Sequence, residues 1–292
     1  MKGMKLFLVS LVLLAGWHSL QAGLFSDRFP SARFSAMGGS GIAAANDVWS
    51  AFYNPAGLSR VQRVQIGSSY LRLFNVPFLK SFFGAGVYPL PEKYGAVSVG
   101  FEYFGVDYEG RQLSGEYTLQ ISHGFYLLKD IHSSLALGYS LKGYYWTLGR
   151  SLQFGELGSA ATLGVDVGLQ ASVYGRTFVG VYLMNLNTPK IGAYTPFDLP
   201  QRVVVGVAYE PYDGVVTSLD INRVVGTEHV QVWGGAEFNV FRNLYVRFGG
   251  TTNPNRFTFG LGVYVAQFRL DYALLTHSEL GETHQIGFQL GW

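Results

Sequence analysis

From Thr283 to the last residue the chain alternates without a break. His284, Ile286, Phe288, Leu290 and Trp292 fall on one side of an extended backbone, and Thr283, Gln285, Gly287, Gln289 and Gly291 on the other. A strand has a side-chain period of two, so one face here is large and apolar and the other small and polar. The same dyad recurs upstream. Leu135, Leu137, Tyr139 and Leu141 oppose Ala136, Gly138, Ser140 and Lys142, while Val203, Val205, Val207 and Tyr209 oppose Arg202, Val204, Gly206 and Ala208. Phe257, Phe259, Leu261 and Val263 likewise oppose Thr258, Gly260, Gly262 and Tyr264. Turn signals between these runs predict strands over 62–73, 79–89, 94–105, 113–127, 133–147, 158–172 and 176–186. Seven more follow over 200–210, 214–224, 229–239, 243–251, 256–265, 267–276 and 282–292. That makes about fourteen, an even number, as single-chain bacterial barrels require.

A water-soluble sheet hides its apolar face in a core, whereas a transmembrane barrel turns it toward lipid and keeps the small polar face in the lumen. The connections favour the second arrangement. Short turns are predicted at Leu90 to Lys93, Lys129 to Ile131, Tyr174 to Arg176, Pro211 to Gly214 and Phe241 to Arg242. The alternate set includes the longer Val106 to Gln112, Gly149 to Leu157 and Asn187 to Leu199. Short turns on the periplasmic side and longer loops outside are the rule for such barrels, so both ends of the barrel sequence are expected in the periplasm. The predicted fold class is all-β: a transmembrane antiparallel β-barrel occupying residues 62–292. A final strand ending on an aromatic residue resembles the assembly signal of outer-membrane barrels, here carried by Phe288, Leu290 and Trp292. Deleting Trp292 should then chiefly hinder assembly.

Composition narrows the setting. Lys2 and Lys5 precede an apolar run from Leu6 to Gly16 and a more polar stretch ending at Ala22, which reads as a signal peptide over 1–22. That run is shorter than the ~20 apolar residues a spanning helix needs. Charged residues make up 14% of the chain, against roughly 25% in soluble domains. Aromatic residues reach 16% and there are 38 Gly. With no Cys, neither a disulfide framework nor a lipoprotein attachment site is available. A net charge of +2 without a basic run gives no reason to expect nucleic acid. The expected location is the bacterial outer membrane, with outer-membrane lipid and the barrel-assembly machinery as partners.

Parity also assigns candidate lumen residues. Glu102, Arg202, Glu210, Arg247, Arg269 and Asp271 fall on the inward side, with Lys142, Asp220 and Glu237. A basic group facing lipid at the midplane costs about 2–4 kcal/mol, so parity and energetics agree. The expected role of these charges is to pair with one another or with the N-terminal segment. Phe82, Phe104, Tyr126 and Trp146 are the candidate aromatic lumen residues. Gly84, Gly86, Gly95, Gly100 and Gly105 crowd the second and third strands, where glycine marks a bulge, a bend or a close approach.

No enzyme constellation emerges. His123 and His284 are predicted to face lipid, and no Ser–His–acid trio can be placed. His277 and His284 flank Glu279 and Glu282 without the spacing of a metal site. The run Gly38-Gly39-Ser40-Gly41 lacks the Lys-Ser/Thr that completes a phosphate loop. No catalytic residue, metal or cofactor is expected.

Residues 23–61 do not alternate. They are rich in Gly and Ala, with a short helix predicted after a cap at Asn46 or Asp47 and ending before Asn54, because Pro55 disfavours helical geometry at its predecessor. A compact segment placed before a barrel reads as a plug inside its lumen. The string ARFSAMGGSGIAAANDVWSAFYNPAGLS resembles the N-terminal signature of the FadL-like outer-membrane transport superfamily, and within it the PorV/PorQ-like branch most. The residues that carry the likeness are Gly38, Gly39, Asp47 and the run Asn54, Pro55, Ala56, Gly57. Family members usually have Asp-Asp where this chain has Asn46-Asp47, and their outer loops are longer. The resemblance implies a fourteen-stranded barrel with a hatch, and passive transport of small hydrophobic compounds past it. It also implies an opening of the wall at a kinked early strand, for which Gly95, Gly100 and Gly105 are the candidates. The alternative is a PorV/PorQ-like interaction protein that assists secretion or surface anchoring, with a secretion-system partner.

Overall fold

The structure, a computed structural model, describes residue 25, residues 28–151 and residues 155–292. The expected signal peptide lies outside the described residues. Fourteen antiparallel strands form the wall: β1 Gln65–Arg72, β2 Leu79–Pro89, β3 Ala96–Tyr108, β4 Arg111–Lys129, β5 Ser133–Leu148, β6 Ser159–Val173 and β7 Thr177–Met184. These are followed by β8 Arg202–Tyr209, β9 Val215–Val224, β10 Val230–Phe241, β11 Leu244–Thr251, β12 Arg256–Val265, β13 Phe268–Leu275 and β14 Thr283–Gly291. Each strand pairs with its neighbours in the chain, and β14 pairs with β1 from Gln65↔Gly291 to Arg72↔His284 to close the barrel. The Trp292 amide extends the seam by donating to the Val64 carbonyl at 3.0 Å. No edge remains, which is what lets every backbone group be satisfied within a membrane.

The alternation seen in the sequence becomes two chemically distinct faces. Leu119, Leu141, Leu163, Val205, Leu219, Ile221, Phe259, Leu261, Leu270 and Ile286 all point outward and are exposed. Their inward neighbours, among them Gln120, Ser140, Asp220, Thr258, Asp271 and Gln285, are buried. An apolar belt of this extent is tolerable in water only if covered, and a bilayer covers it. Among the described residues no helix is long and apolar enough to cross a membrane.

One barrel end, the turn end, carries the connections β2–β3, β4–β5, β6–β7, β8–β9, β10–β11 and β12–β13. The opposite, loop end carries residues 149–158 and 185–201, each of which folds a two-residue ribbon: Arg150–Ser151 with Gly155–Glu156, and Lys190–Ile191 with Phe197–Asp198. One expected loop is not there. Instead of running from Val106 to Gln112, the β3–β4 connection is only Glu109 and Gly110, both at positive φ (49° and 75°). Two left-handed residues make the tight turn whose twist suits a hairpin. A register shift between Val106 and Asp107 breaks the alternation there and hid the strand extension from the sequence pattern.

The segment before β1 is compact. It contains α1 Ala32–Ser35, α2 Ser50–Tyr53 and a 3-10 turn Pro55–Arg60. The predicted helix shrinks to one turn, and its N-cap is Trp49 rather than Asn46 or Asp47. Asp47 acts one step earlier, accepting the Trp49 amide at 3.0 Å. Asn54 is extended (φ −159°, ψ 108°) as the residue before proline should be.

Candidate functional site

The segment packs against the inward face of nearly the whole wall, and inward glycines make this contact geometrically available. A β-carbon at Gly124 on β4 would lie 2.1 Å from the Pro55 carbonyl oxygen, and one at Gly138 on β5 would lie 2.2 Å from the Ala56 amide nitrogen. At Gly168 on β6 it would lie 2.0 Å from Asn54 Oδ1, and at Gly180 on β7 2.5 Å from the Ile42 carbonyl oxygen. Across the barrel, Gly235 on β10 and Gly249 on β11 would strike the Met37 backbone at 2.5 and 2.4 Å. Gly124 faces Gly138 and Gly138 faces Gly168 across two successive ladders, and Gly180 faces Gly206 across the β7–β8 ladder. These glycines form a groove at the level where the segment's backbone runs. The segment's own Gly38 (φ +71°) leaves no room either: a β-carbon would lie 2.4 Å from the Gly250 carbonyl oxygen.

Hydrogen bonds then fix the segment in the groove. Asn54 Nδ2 donates to the carbonyls of Ile42 and Leu169, each at 3.0 Å, and Asn54 Oδ1 accepts the Ala56 amide at 3.1 Å. One side chain thereby ties two parts of the segment to β6. Asp220 on β9 accepts the amides of Gly41 (2.7 Å) and Ile42 (3.0 Å). Gln170 on β6 donates to the Ala43 carbonyl at 2.6 Å, and Gln285 on β14 donates to the Phe29 carbonyl at 2.9 Å. The backbone of a segment with little regular structure is thus satisfied by lumen side chains, as burial demands.

Two charged clusters join segment and wall. Toward the turn end, Arg33 forks onto Glu237 (2.9 and 2.7 Å), and Arg247 bridges Glu237 (2.5 Å), Asp271 (2.7 Å) and the Tyr264 hydroxyl (2.5 Å). Asp47 stands 3.9 Å from Arg33. Toward the loop end, Arg28 reaches Glu102 and Glu116, both at 2.8 Å, and lies 4.4 Å over the Phe104 ring. Lys142 pairs with Asp166 at 2.6 Å within the wall, and Tyr182 donates to the same carboxylate. Charge-assisted contacts of this kind are short and directional. Losing one partner leaves an uncompensated charge behind.

The segment stands between two cavities. The one nearer the loop end measures about 90 Å³ and is bounded by Phe25, Phe29, Ile42, Phe52, Tyr53, Met184, Val204 and Trp233, with Arg28, Glu102, Lys142, Tyr182, Arg202 and Asn222 among its polar neighbours. The one nearer the turn end measures about 120 Å³ and is polar, bounded by Ser59, Arg60, Tyr126, Ser134, Ser172, Gln170 and Phe178. Pro55 to Leu58, fully buried, lie against β4 and β5 between the two regions.

Glu102, Phe104, Tyr126, Trp146, Arg202, Arg247, Arg269 and Asp271 occupy inward positions, and Glu210 lies 3.9 Å from Arg60 at the turn end. Phe82 does not. It points outward and is 40% exposed, while Phe83, fully buried, faces inward against Phe52. The adjacent phenylalanines gave parity no purchase there. Gly95, Gly100 and Gly105 do not mark a gap, because β2 and β3 pair continuously from Leu79↔Val106 to Pro89↔Ala96. Gly95 sits in a turn at φ +71°, Gly100 leaves space for Phe52 and Gln120, and Gly105 leaves space for the Tyr103 hydroxyl. The residues that sequence reasoning missed are Arg28 and Arg33, partners of wall carboxylates; the inward glycines were placed on the small face, but not as the seat of the segment. A row of small residues at matched ladder positions was the available signal. Among the described residues no group of His, Cys, Asp and Glu could hold a metal ion.

The arrangement has counterparts. The chain is similar to the Ralstonia pickettii toluene transporter TbuX (14% identity, 92% of this chain and 100% of that chain, TM-score 0.64). It is also similar to the CymD monoaromatic hydrocarbon channel (14% identity, 90% and 97%, TM-score 0.66) and to a Pseudomonas aeruginosa FadL homologue (11% identity, 91% and 98%, TM-score 0.57). No protein-family model matches the chain, and no curated protein does. At these identities the likeness concerns the fold. A closed barrel of this fold with an apolar outward belt is a protein of the bacterial outer membrane.

Proposed function

We propose that the protein is a FadL-like channel for passive movement of small hydrophobic compounds across the outer membrane, with residues 28–61 as its hatch. The loop end faces outward and the turn end faces the periplasm. The observation that carries this reading is the segment's position between a largely apolar, aromatic-walled cavity at the loop end and a polar one at the turn end. A solute collecting in the first reaches the second only if the segment shifts. Two structural counterparts bear the names of a toluene transporter and a monoaromatic hydrocarbon channel, which accords with an apolar solute. The contacts holding the segment are hydrogen bonds, ion pairs, apolar and aromatic packing and close approaches to glycine, all of them noncovalent, so movement breaks no covalent link.

Uptake of radiolabelled toluene into proteoliposomes tests the reading. Faster entry than into protein-free vesicles is expected, with little ion conductance while the hatch is seated. Entry at the protein-free rate would contradict it. The PorV/PorQ-like alternative draws support from the small size of both cavities. It predicts instead that the protein is recovered from membranes bound to a secretion machine or its cargo.

A further inference from the structure

We infer that the loop end carries a subsite for a single aromatic ring, and that the chain fills this subsite itself with Phe25. The inference deepens the transport reading and rests on the lumen being the solute's path. Phe25 is 6% exposed and buried with Tyr144, Ile191 and Leu199, with Trp146 packed alongside. Its ring meets Tyr144 edge-on, with centroids 4.9 Å apart and planes at 67°. This is a geometry that aromatic quadrupoles favour. The cage residues belong to β5 and to the loop 185–201, not to the N-terminal segment. They are held independently of Phe25: the Tyr144 hydroxyl donates to Asn185 Oδ1 at 2.9 Å, and Ile191 is paired with Phe197 in the loop's ribbon.

A phenylalanine side chain is toluene attached to the backbone through its methyl carbon. The cage therefore displays the shape and chemistry it accepts: one six-membered aromatic ring with no polar substituent to satisfy. Phe25 also forms part of the boundary of the 90 Å³ cavity. An apolar cavity that binds benzene measures roughly 150 Å³, so the remaining space is too small for a ring while Phe25 stays. What keeps it there is specific. The Phe25 amide donates to Glu116 at 2.9 Å, and Arg28 holds Glu102 and Glu116 at 2.8 Å each. An incoming aromatic solute must compete with a tethered ring for the same cage.

Toluene binding to the full-length protein in lipid nanodiscs, read by saturation-transfer NMR against empty nanodiscs, tests this. Phe25→Ala should bind toluene about tenfold more tightly, because a self-occupied site lowers apparent affinity by the unoccupied fraction. Arg28→Ala, which loosens the tether and leaves the cage intact, should move binding in the same direction. Adding Tyr144→Ala to Phe25→Ala should remove the gain. Unchanged or weaker binding in both single variants, each still migrating as a folded heat-modifiable barrel, would overturn the inference. The two readings fail separately. Tighter binding without toluene uptake into proteoliposomes keeps the cage and removes the transport role, whereas uptake with no gain in binding does the reverse.

Discussion

Single residues decide whether the segment seats. Asn54 makes three hydrogen bonds at 3.0–3.1 Å in a fully buried position, and each is worth about 0.5–1.5 kcal/mol net. Asn54→Ala should therefore loosen the segment by about 2–3 kcal/mol, seen as faster proteolysis within residues 28–61 while the barrel keeps its heat-modifiable migration. Gly138→Leu acts from the wall side. Its β-carbon alone lies 2.2 Å from the segment backbone, so the segment should be expelled and the same protease sites exposed. Protection equal to wild type in that variant would mean the groove does not hold the segment. Glu237 illustrates a third mechanism, since it serves Arg33 and Arg247 together. Glu237→Gln leaves Arg33 without a close carboxylate and Arg247 with Asp271 alone, and should cost more than Arg33→Met, on the scale of about 3–5 kcal/mol for a broken buried pair. Denaturant titration in detergent ranks the two.

At the scale of elements, the fourteen strands were legible because an apolar outward face and a small inward face repeat along nearly every one of them. Boundaries drifted where that repeat stops, as in β3 and β4, whose outer halves pass a register shift. Phe82 and Phe83 show the limit of parity: two like neighbours carry no phase. The segment was legible as a unit, from Gly, Ala and the Asn-Pro-Ala-Gly run, but its contacts were not. They join positions such as Arg33 and Glu237, far apart in sequence, and no local period encodes them. Inward glycines were visible throughout, yet an empty side chain says nothing of what approaches it until the partner is placed. The closing strand gives a prediction at this scale. Phe288 and Leu290 on β14 face outward beside the seam with β1, so Phe288→Asp should lower the yield of membrane-inserted barrel, measured by heat-modifiable migration in outer-membrane fractions. Normal insertion would deny the strand its assembly role.

The whole molecule is a closed wall with a noncovalently held segment across its lumen. The ladders joining β1, β2 and β3 are continuous, so under the proposed transport role passage would depend on the segment. The absence of native cysteine makes this directly testable. Ser40 on the segment and Ser218 on β9 stand with their hydroxyl oxygens 2.5 Å apart, close enough for a Ser40→Cys, Ser218→Cys pair to bridge. Toluene uptake by proteoliposomes carrying this variant should fall to the protein-free rate when oxidised and recover on reduction. Uptake that continues at the wild-type rate with the bridge formed would contradict the claim that solute passes only when the segment moves.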